Sequence, residues 1–319
     1  MLQLLSRHNH FFRRIFCLAF LSLAFFEGIW AQQDAQYTQY MYNTVSINPA
    51  YAGSRGHLSI AALHRSQWVG LDGAPKTQTL NLHSPVGYRG VGLGFSVVND
   101  QIGPTSETYF DADFSYTLQL SREARLSFGL KASAHLLDIR FSELTLDPNN
   151  PDFTLQQDIQ NRISPNIGAG VYYHTEQFYA GISVPRFLET THFDESQLST
   201  ASEQMNFYFI TGYVWDIHPL WKFKPTLLTK MTVGAPLQVD LSANFMYDER
   251  FIMGLAYRWD AAVSGMVGFH ISPSFMIGMA YDREVSELGG TVFNDGSFEV
   301  ILRYDFISRR GRIKSPRFF

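Results

Sequence analysis

The sequence has little of what several common protein classes depend on. Its single cysteine, Cys17, lies near the start, so the rest of the chain has no disulfide, no thiolate nucleophile and no cysteine-based metal site. Charged residues make up only 17% of the chain, against about 25% in typical soluble proteins. The 25 basic residues do not outnumber the 29 acidic ones, so we expect no basic face for nucleic acid. After the first 31 residues, no apolar run approaches the length of a transmembrane helix.

The first 31 residues have the pattern of an export signal. Arg7, Arg13 and Arg14 form a basic start, and a short apolar run follows at positions 15–26. That run cannot span a bilayer as a helix, which takes about 20 residues. Signal peptidase cleaves after a small residue, and Ala31 is such a residue. The pattern therefore predicts a Sec signal peptide at residues 1–31. An uncleaved anchor is the alternative.

Apolar and polar residues alternate along most of the chain after position 57. In one such segment Leu126, Phe128 and Leu130 fall on one face, and Ser127 and Lys131 fall on the other. The segments run for about 10 residues, the length of a transmembrane strand, whereas strands of soluble proteins average about 5–6. Tyr and Trp gather at the ends of the apolar face, a pattern typical of a lipid-facing band with aromatic girdles. A soluble sandwich is the alternative.

Counting these segments gives fourteen strands, an even number that is typical of bacterial outer-membrane barrels. We therefore predict an all-β protein, a transmembrane antiparallel β-barrel at residues 57–307 of the outer membrane. Short turns, residues 216–219 among them, should face the periplasm, and the longer loops, chiefly 138–163 and 186–202, should face outward. Both termini are then periplasmic. The predicted strands are 57–68, 76–85, 90–99, 105–120, 124–137, 164–174, 177–185, 203–215, 220–230, 237–248, 250–260, 262–271, 273–284 and 297–307.

Two segments flank the predicted barrel. Residues 32–56 carry little charge and contain turn signals with proline and glycine. We interpret them as an N-terminal periplasmic segment or plug: a short plug, a lid over the periplasmic mouth and a disordered leader are the three alternatives. Residues 308–319 include Arg309, Arg310 and further basic residues without an acidic one. They form a basic periplasmic tail, which is either solvated or a docking segment.

Catalytic and cofactor-binding motifs are lacking as well. The sequence has no P-loop, no H-E-x-x-H and no G-x-S-x-G motif, so we predict no enzyme, no cofactor and no metal site. Asp111 and Asp113 share one strand face and are interpreted as polar lumen wall rather than a cation site. The oxygen-rich stretch 147–152 does not match a known calcium loop. Inward faces with charges of both signs predict ion pairs that hold the interior together. These inward charges are Arg125, Lys131, Lys222, Lys224, Asp240, Arg258, Asp260, Asp282, Glu299, Arg303 and Asp305.

Several motifs resemble one known family over essentially all of the mature chain. Residues 36–54 (QYTQYMYNTVSINPAYAGS) resemble the start of the PorP/SprF family, which are Bacteroidetes outer-membrane proteins of the type IX secretion system. Residues 64–70 (HRSQWVG) are similar to the family's R-x-Q-W-x-G motif. Tyr281-Asp282 and residues 296–306 resemble its last two strands.

The resemblance implies a barrel that supports export or surface attachment of proteins bearing a type IX C-terminal signal. It implies a surface adhesin as cargo in gliding bacteria, and lipoproteins of the secretion machinery as partners. The leading hypothesis is a non-enzymatic protein that binds the C-terminal domain of a secreted surface protein and couples it to the envelope machinery. The alternatives are a channel or transporter for small or hydrophobic solutes and, third, an outer-membrane hydrolase.

Eight residues are candidates for partner binding under the leading hypothesis. Four of them come from the turn region of the N-terminal segment and equally fit a structural turn that closes the barrel mouth. The others come from the R-x-Q-W-x-G motif and from the basic tail. They are Asn48, Pro49, Tyr51 and Gly53, then Arg65 and Trp68, then Arg309 and Arg310.

Overall fold

The computed structural model describes residues 36–87, 90–143, 158–188, 204–285 and 294–307. The strands are β1 (Leu58–Ser66), β2 (Lys76–Val86), β3 (Val91–Ile102), β4 (Thr105–Gln119), β5 (Arg125–Ile139), β6 (Ile159–His174), β7 (Phe178–Val184), β8 (Asn206–Tyr213), β9 (Trp215–His218), β10 (Trp221–Thr232), β11 (Gln238–Tyr247), β12 (Phe251–Arg258), β13 (Ala262–Ser272), β14 (Phe275–Glu284) and β15 (Ser297–Phe306). β1 pairs with both β2 and β15, which closes the sheet. The result is an antiparallel barrel of fourteen strands, with β9 as one extra strand.

Among residues 36–307, as far as the structure describes them, helical structure is confined to four short elements. Three lie before β1: a 3-10 turn at Tyr40–Tyr42, a single α-helical turn at Thr44–Ile47 and a second 3-10 turn at Pro49–Tyr51. The fourth is a 3-10 turn at Phe141–Glu143. Within the described part of the chain, no helix is long and apolar enough to cross a membrane.

The alternation in the sequence determines which side chains face lipid. On β5, Leu130 is 62% exposed while its neighbour Lys131 is 3% exposed. Alternate apolar side chains of β12 and β15, among them Leu255 and Phe298, are likewise turned outward. Successive side chains of a strand point to opposite faces of the sheet, so this period of two gives an apolar outer surface and a polar lumen. The predicted fourteen-stranded barrel is confirmed.

Aromatic side chains form part of a girdle on the outer surface. Trp215 stacks on Phe223 with ring centroids 5.8 Å apart, and Phe223 stacks on Phe245 at 4.7 Å. Trp221 and Tyr247 extend this row at 4.8 Å. Amphipathic rings in such a position match the aromatic belts that mark a membrane–water interface.

One predicted turn, residues 216–219, is wrong, because most of it belongs to strand β9. β8 pairs with β7 only as far as Tyr213, and the amide of Val214 then donates to the carbonyl of Gln177 at 2.8 Å. β10 is longer than β7 and continues past this point, so the chain keeps pairing with it through Trp215–His218. Pro219, which has no N–H, ends the pairing.

The two ends of the barrel differ in the length of their connections. One end carries 87–90, 120–124, 175–177, 219–220, 248–250 and 273–274, and it is called the short-turn end. The other carries 67–75, 103–104, 140–158, 185–205, 233–237, 259–261 and 285–296, and it is called the long-loop end. Short turns at one end and longer loops at the other are typical of outer-membrane barrels, where the short turns face the periplasm.

Candidate functional site

The interior of the barrel contains an N-terminal stretch, residues 36–57, which is called the inner segment below. Its side chains are largely buried, with Tyr40 2% exposed and Ala50 fully enclosed. Tyr37 and Tyr42 are likewise buried, at 7% and 9% exposed. The inner segment therefore serves as the packed core of the barrel.

The N-terminal part of the inner segment is held by a buried group of side chains called the outer cluster: Thr38, Arg65, Asp282 and Glu299. The backbone amides of Thr38 and Gln39 each donate to a different oxygen of the Glu299 carboxylate at 2.8 Å. Arg65 bonds Asp282 at 2.6 Å and Glu299 at 3.2 Å, and it donates to the Thr38 hydroxyl at 2.9 Å. These charge-assisted bonds compensate for burying the charges and order the two residues of the inner segment.

Asn48 fixes the middle of the inner segment. Its side-chain oxygen accepts the amide of Ala50 at 3.0 Å, which caps the 3-10 turn that begins with Pro49. Its side-chain nitrogen donates to the carbonyl of Val171 on β6 at 3.1 Å, and it also lies 3.4 Å from that of Ile182 on β7. One amide thus both shapes the turn and joins it to the wall.

The C-terminal part of the inner segment is joined to β15 and β2. Arg55 forms a two-pronged contact with Asp305, at 2.7 and 3.2 Å, and His57 lies 3.3 Å from the same carboxylate. The amide of Gly53 donates to the ring of His83 at 3.1 Å. A cavity of about 10 Å³, which Arg55 helps to line, leaves room for about one water molecule.

A further ion pair lies in the lumen wall beside the inner segment. Lys131 on β5 lies 2.8 Å from Asp111 and 3.4 Å from Asp113, both on β4. The two carboxylates thus lie close to the ammonium group of Lys131, an arrangement that fits the interpretation of a polar lumen wall. The stretch 147–152 lies outside the described residues.

Glycine on the inner face of the wall makes room for the inner segment. A Cβ on Gly129 of β5 would overlap the backbone of Ala50, so only a residue without a side chain fits there. We expect Gly129→Ala to lower the free energy of unfolding by about 1–3 kcal/mol through overpacking. Urea titration of the protein in lipid vesicles measures this.

Gly265 provides the matched control for that substitution. It faces outward on β13, and a Cβ there meets nothing within 4 Å in the part of the chain that the structure describes. We expect Gly265→Ala to change the stability by less than about 0.5 kcal/mol. Equal effects at the two positions would contradict a tight fit of the inner segment against β5.

The structure places the eight candidate residues in different surroundings. Asn48, Pro49 and Tyr51 are buried in the lumen, and Gly53 lies next to them with a positive φ of 71°. Arg65 belongs to the outer cluster. Trp68 lies on the loop between β1 and β2, where its indole nitrogen donates to Glu284 at the end of β14. Arg309 and Arg310 lie outside the described residues.

Some residues that hold the inner segment could not be identified from the sequence. Alternation places Asp282, Glu299 and Asp305 on inward faces, but it does not say which groups they bind. Thr38 and Arg55 were not singled out, because an isolated polar residue in an irregular segment carries no periodic signal. The only indication of these contacts in the sequence is that some inward carboxylates accompany an inward arginine.

A closed antiparallel barrel with an apolar outer surface, aromatic girdle residues and a polar, filled lumen defines an outer-membrane β-barrel protein. Besides the closed sheet itself, the barrel has two further features, the long-loop end and the buried inner segment. Residues 29–304 match the family described as "Type IX secretion system membrane protein PorP/SprF", and the chain belongs to this family. The resemblance found in the sequence is thereby confirmed, and the protein is an outer-membrane component of type IX secretion.

Several solved outer-membrane barrels resemble this chain at low identity. The CymD monoaromatic hydrocarbon channel matches at 11% identity with a TM-score of 0.49, covering 87% of this chain and 94% of that one. A Pseudomonas aeruginosa FadL homologue matches at 13% identity with a TM-score of 0.43, covering 78% and 89%. The NanC porin matches at 10% identity with a TM-score of 0.42, covering 79% and 100%. No curated protein matches the sequence.

Proposed function

We propose that this protein is a non-enzymatic receptor that binds the C-terminal domain of a secreted surface protein and couples it to the secretion machinery of the envelope. Membership of the PorP/SprF family is the single observation that carries the proposal. The outward loops, chiefly 138–163 and 186–202, recognise the domain, and the periplasmic end docks lipoproteins of the machinery. Long loops on a rigid scaffold are where binding usually resides.

The rim at the long-loop end supports this assignment, because it is a firm scaffold for loops. In the loop 67–75, the amide of Val69 donates to Gly296 at 2.9 Å and its carbonyl accepts from Asp295 at 2.8 Å. The carbonyl of Gly73 accepts from the amide of Gly103 at 2.9 Å. The loop is thereby joined to the connections on either side of it, and bound partners would meet a surface of fixed shape.

Deletion of the gene tests the proposal. We expect one class of exported protein, those carrying a type IX C-terminal domain, to stay in the periplasm or remain unprocessed. Immunoblots of the cell surface and of the periplasm measure this. Normal surface display in the deletion strain would contradict the proposed function.

A loop variant separates recognition from assembly. Replacing 144–157 by a short glycine–serine linker should abolish display while the amount of folded barrel stays unchanged. The matched control replaces Glu123, in a turn at the short-turn end, by serine and should leave display intact.

Within the same proposal, Arg309 and Arg310 of the basic tail contribute to docking in the periplasm. Their joint replacement by glutamine should weaken co-purification of the machinery lipoproteins.

A further inference from the structure

The inner segment passes through the barrel in one direction, from the long-loop end to the short-turn end. Its first described residue, Gln36, donates to Gln238 at 2.9 Å, and Gln238 begins β11 directly after the connection 233–237. Its last part contacts Asp305, which lies next to the final residue of β15 at the opposite end.

The contacts in between follow the same order. Tyr40 meets Thr226 near the centre of β10 at 2.6 Å. Ser115 of β4, close to the short-turn end, donates to the carbonyl of Ala52 at 2.7 Å. The inner segment therefore descends through the lumen before the chain turns upward into β1.

We infer that the N-terminal end of the inner segment faces the cell exterior, at the same mouth as the long loops. The inference rests on the orientation used in the proposed function, in which the long loops face outward. It replaces the expectation that both termini lie in the periplasm, and it agrees with the alternative of a plug. Gln36 thus lies at the mouth that an extracellular partner meets.

The length of the chain before Gln36 supports this assignment. Between the predicted cut after Ala31 and Gln36 lie residues 32–35, which span at most about 14 Å. Gln238 is separated from the short-turn end by the 10 residues of β11. At a rise of about 3.4 Å per residue and a tilt of about 40°, that is about 26 Å of barrel height. A mature N-terminus therefore cannot return to the periplasmic end.

The same end of the inner segment is joined to strands that carry an outward loop. Asp282 of the outer cluster lies two residues before Glu284, which binds Trp68 of the loop 67–75. A protein bound at this mouth would therefore lie over both the loop and the start of the inner segment. This deepens the proposed function by adding the N-terminal end to the receptor surface.

Cysteine labelling in intact cells tests the inference, since the only native cysteine, Cys17, lies in the predicted signal peptide. The probe is a maleimide coupled to a polyethylene glycol too large to cross the outer membrane. We expect Asp34→Cys and Gln36→Cys to react in intact cells, as Asp72→Cys on the loop 67–75 does. The matched control is Ser121→Cys at the short-turn end, which should react only after the outer membrane is permeabilised.

Each pattern of labelling has one meaning. If Asp72→Cys reacts in intact cells while both N-terminal variants stay protected until permeabilisation, the inner segment does not present its end outside and the inference is overturned. If Ser121→Cys reacts and Asp72→Cys does not, the barrel has the opposite orientation, which overturns the inference together with the outward position of the loops. Loss of cargo display with the expected labelling unchanged would concern the proposed function alone.

Discussion

A variant without residues 36–54 is expected to conduct ions, whereas the intact protein should not. In the intact barrel the inner segment fills the lumen, with Tyr40, Tyr42 and Tyr51 all buried against the wall. A fourteen-stranded wall encloses more space than its own side chains fill. Removing the segment should therefore leave a water-filled passage lined by charged groups. Single-channel recording in planar bilayers measures this as stepwise current in the variant and a flat trace in the intact protein.

Two controls keep this result interpretable. Asn48→Ala leaves the inner segment in the chain and should remain silent, although it loses the contacts to Val171 and Ile182. If the deletion prevents folding, a chain in which Tyr40, Tyr42 and Tyr51 are all replaced by alanine should conduct weakly. An intact protein that conducts as well as the deletion variant would contradict a lumen closed by the inner segment. It would favour the alternative of a channel for small solutes.

The barrel itself could be predicted because its signal is local and repeated. Every second side chain is apolar over the whole of β15 and over 126–136 of β5. Lipid on one side of the wall and a polar lumen on the other require that pattern. The pattern within each strand thus predicts that it is a strand, how long it is and which of its faces points outward, without information from neighbouring strands. The number of strands then follows from counting.

The sequence allows a plug as one alternative for residues 32–56, but the contacts that hold it could not be predicted, because they join distant parts of the chain. Thr38 binds Glu299 across 261 positions, and neither residue type signals the other. The inner segment also has no periodicity, so its residues read as a turn-rich linker. Strand β9 was missed for a related reason: four residues are too few to show an alternation, and only the length of β10 decides that Trp215–His218 pairs.

Arg65→Met is expected to be the most destabilising single substitution in the outer cluster. Arg65 is 2% exposed and is shared by two buried carboxylates, Asp282 and Glu299. Methionine fills a similar volume but leaves both carboxylates without their cation in a site that water does not reach. Removing one partner from a buried ion pair costs about 3–5 kcal/mol. Urea titration of the protein refolded in lipid vesicles should show a loss of this size.

An exposed ion pair of the same protein is the matched control. Lys222 lies 2.8 Å from Glu249, the same separation as the buried pair Lys131–Asp111, but its two side chains are 27% and 76% exposed. Water screens this pair, so Lys222→Met should cost only about 0–1 kcal/mol. The contrast between the two substitutions therefore measures burial rather than the loss of a salt bridge as such.

Removing one of the two carboxylates tests whether charge is the cause. In the chain that carries Arg65→Met, the further change Glu299→Gln should recover about 1 kcal/mol or more, because only Asp282 is then left without a cation. The single side-chain oxygen of glutamine retains an acceptor for one of the two amides, of Thr38 or Gln39, so the inner segment keeps part of its attachment. If the double variant is instead less stable than Arg65→Met alone, the carboxylate contributes mainly through those two amides, and the outer cluster stabilises the segment rather than the wall.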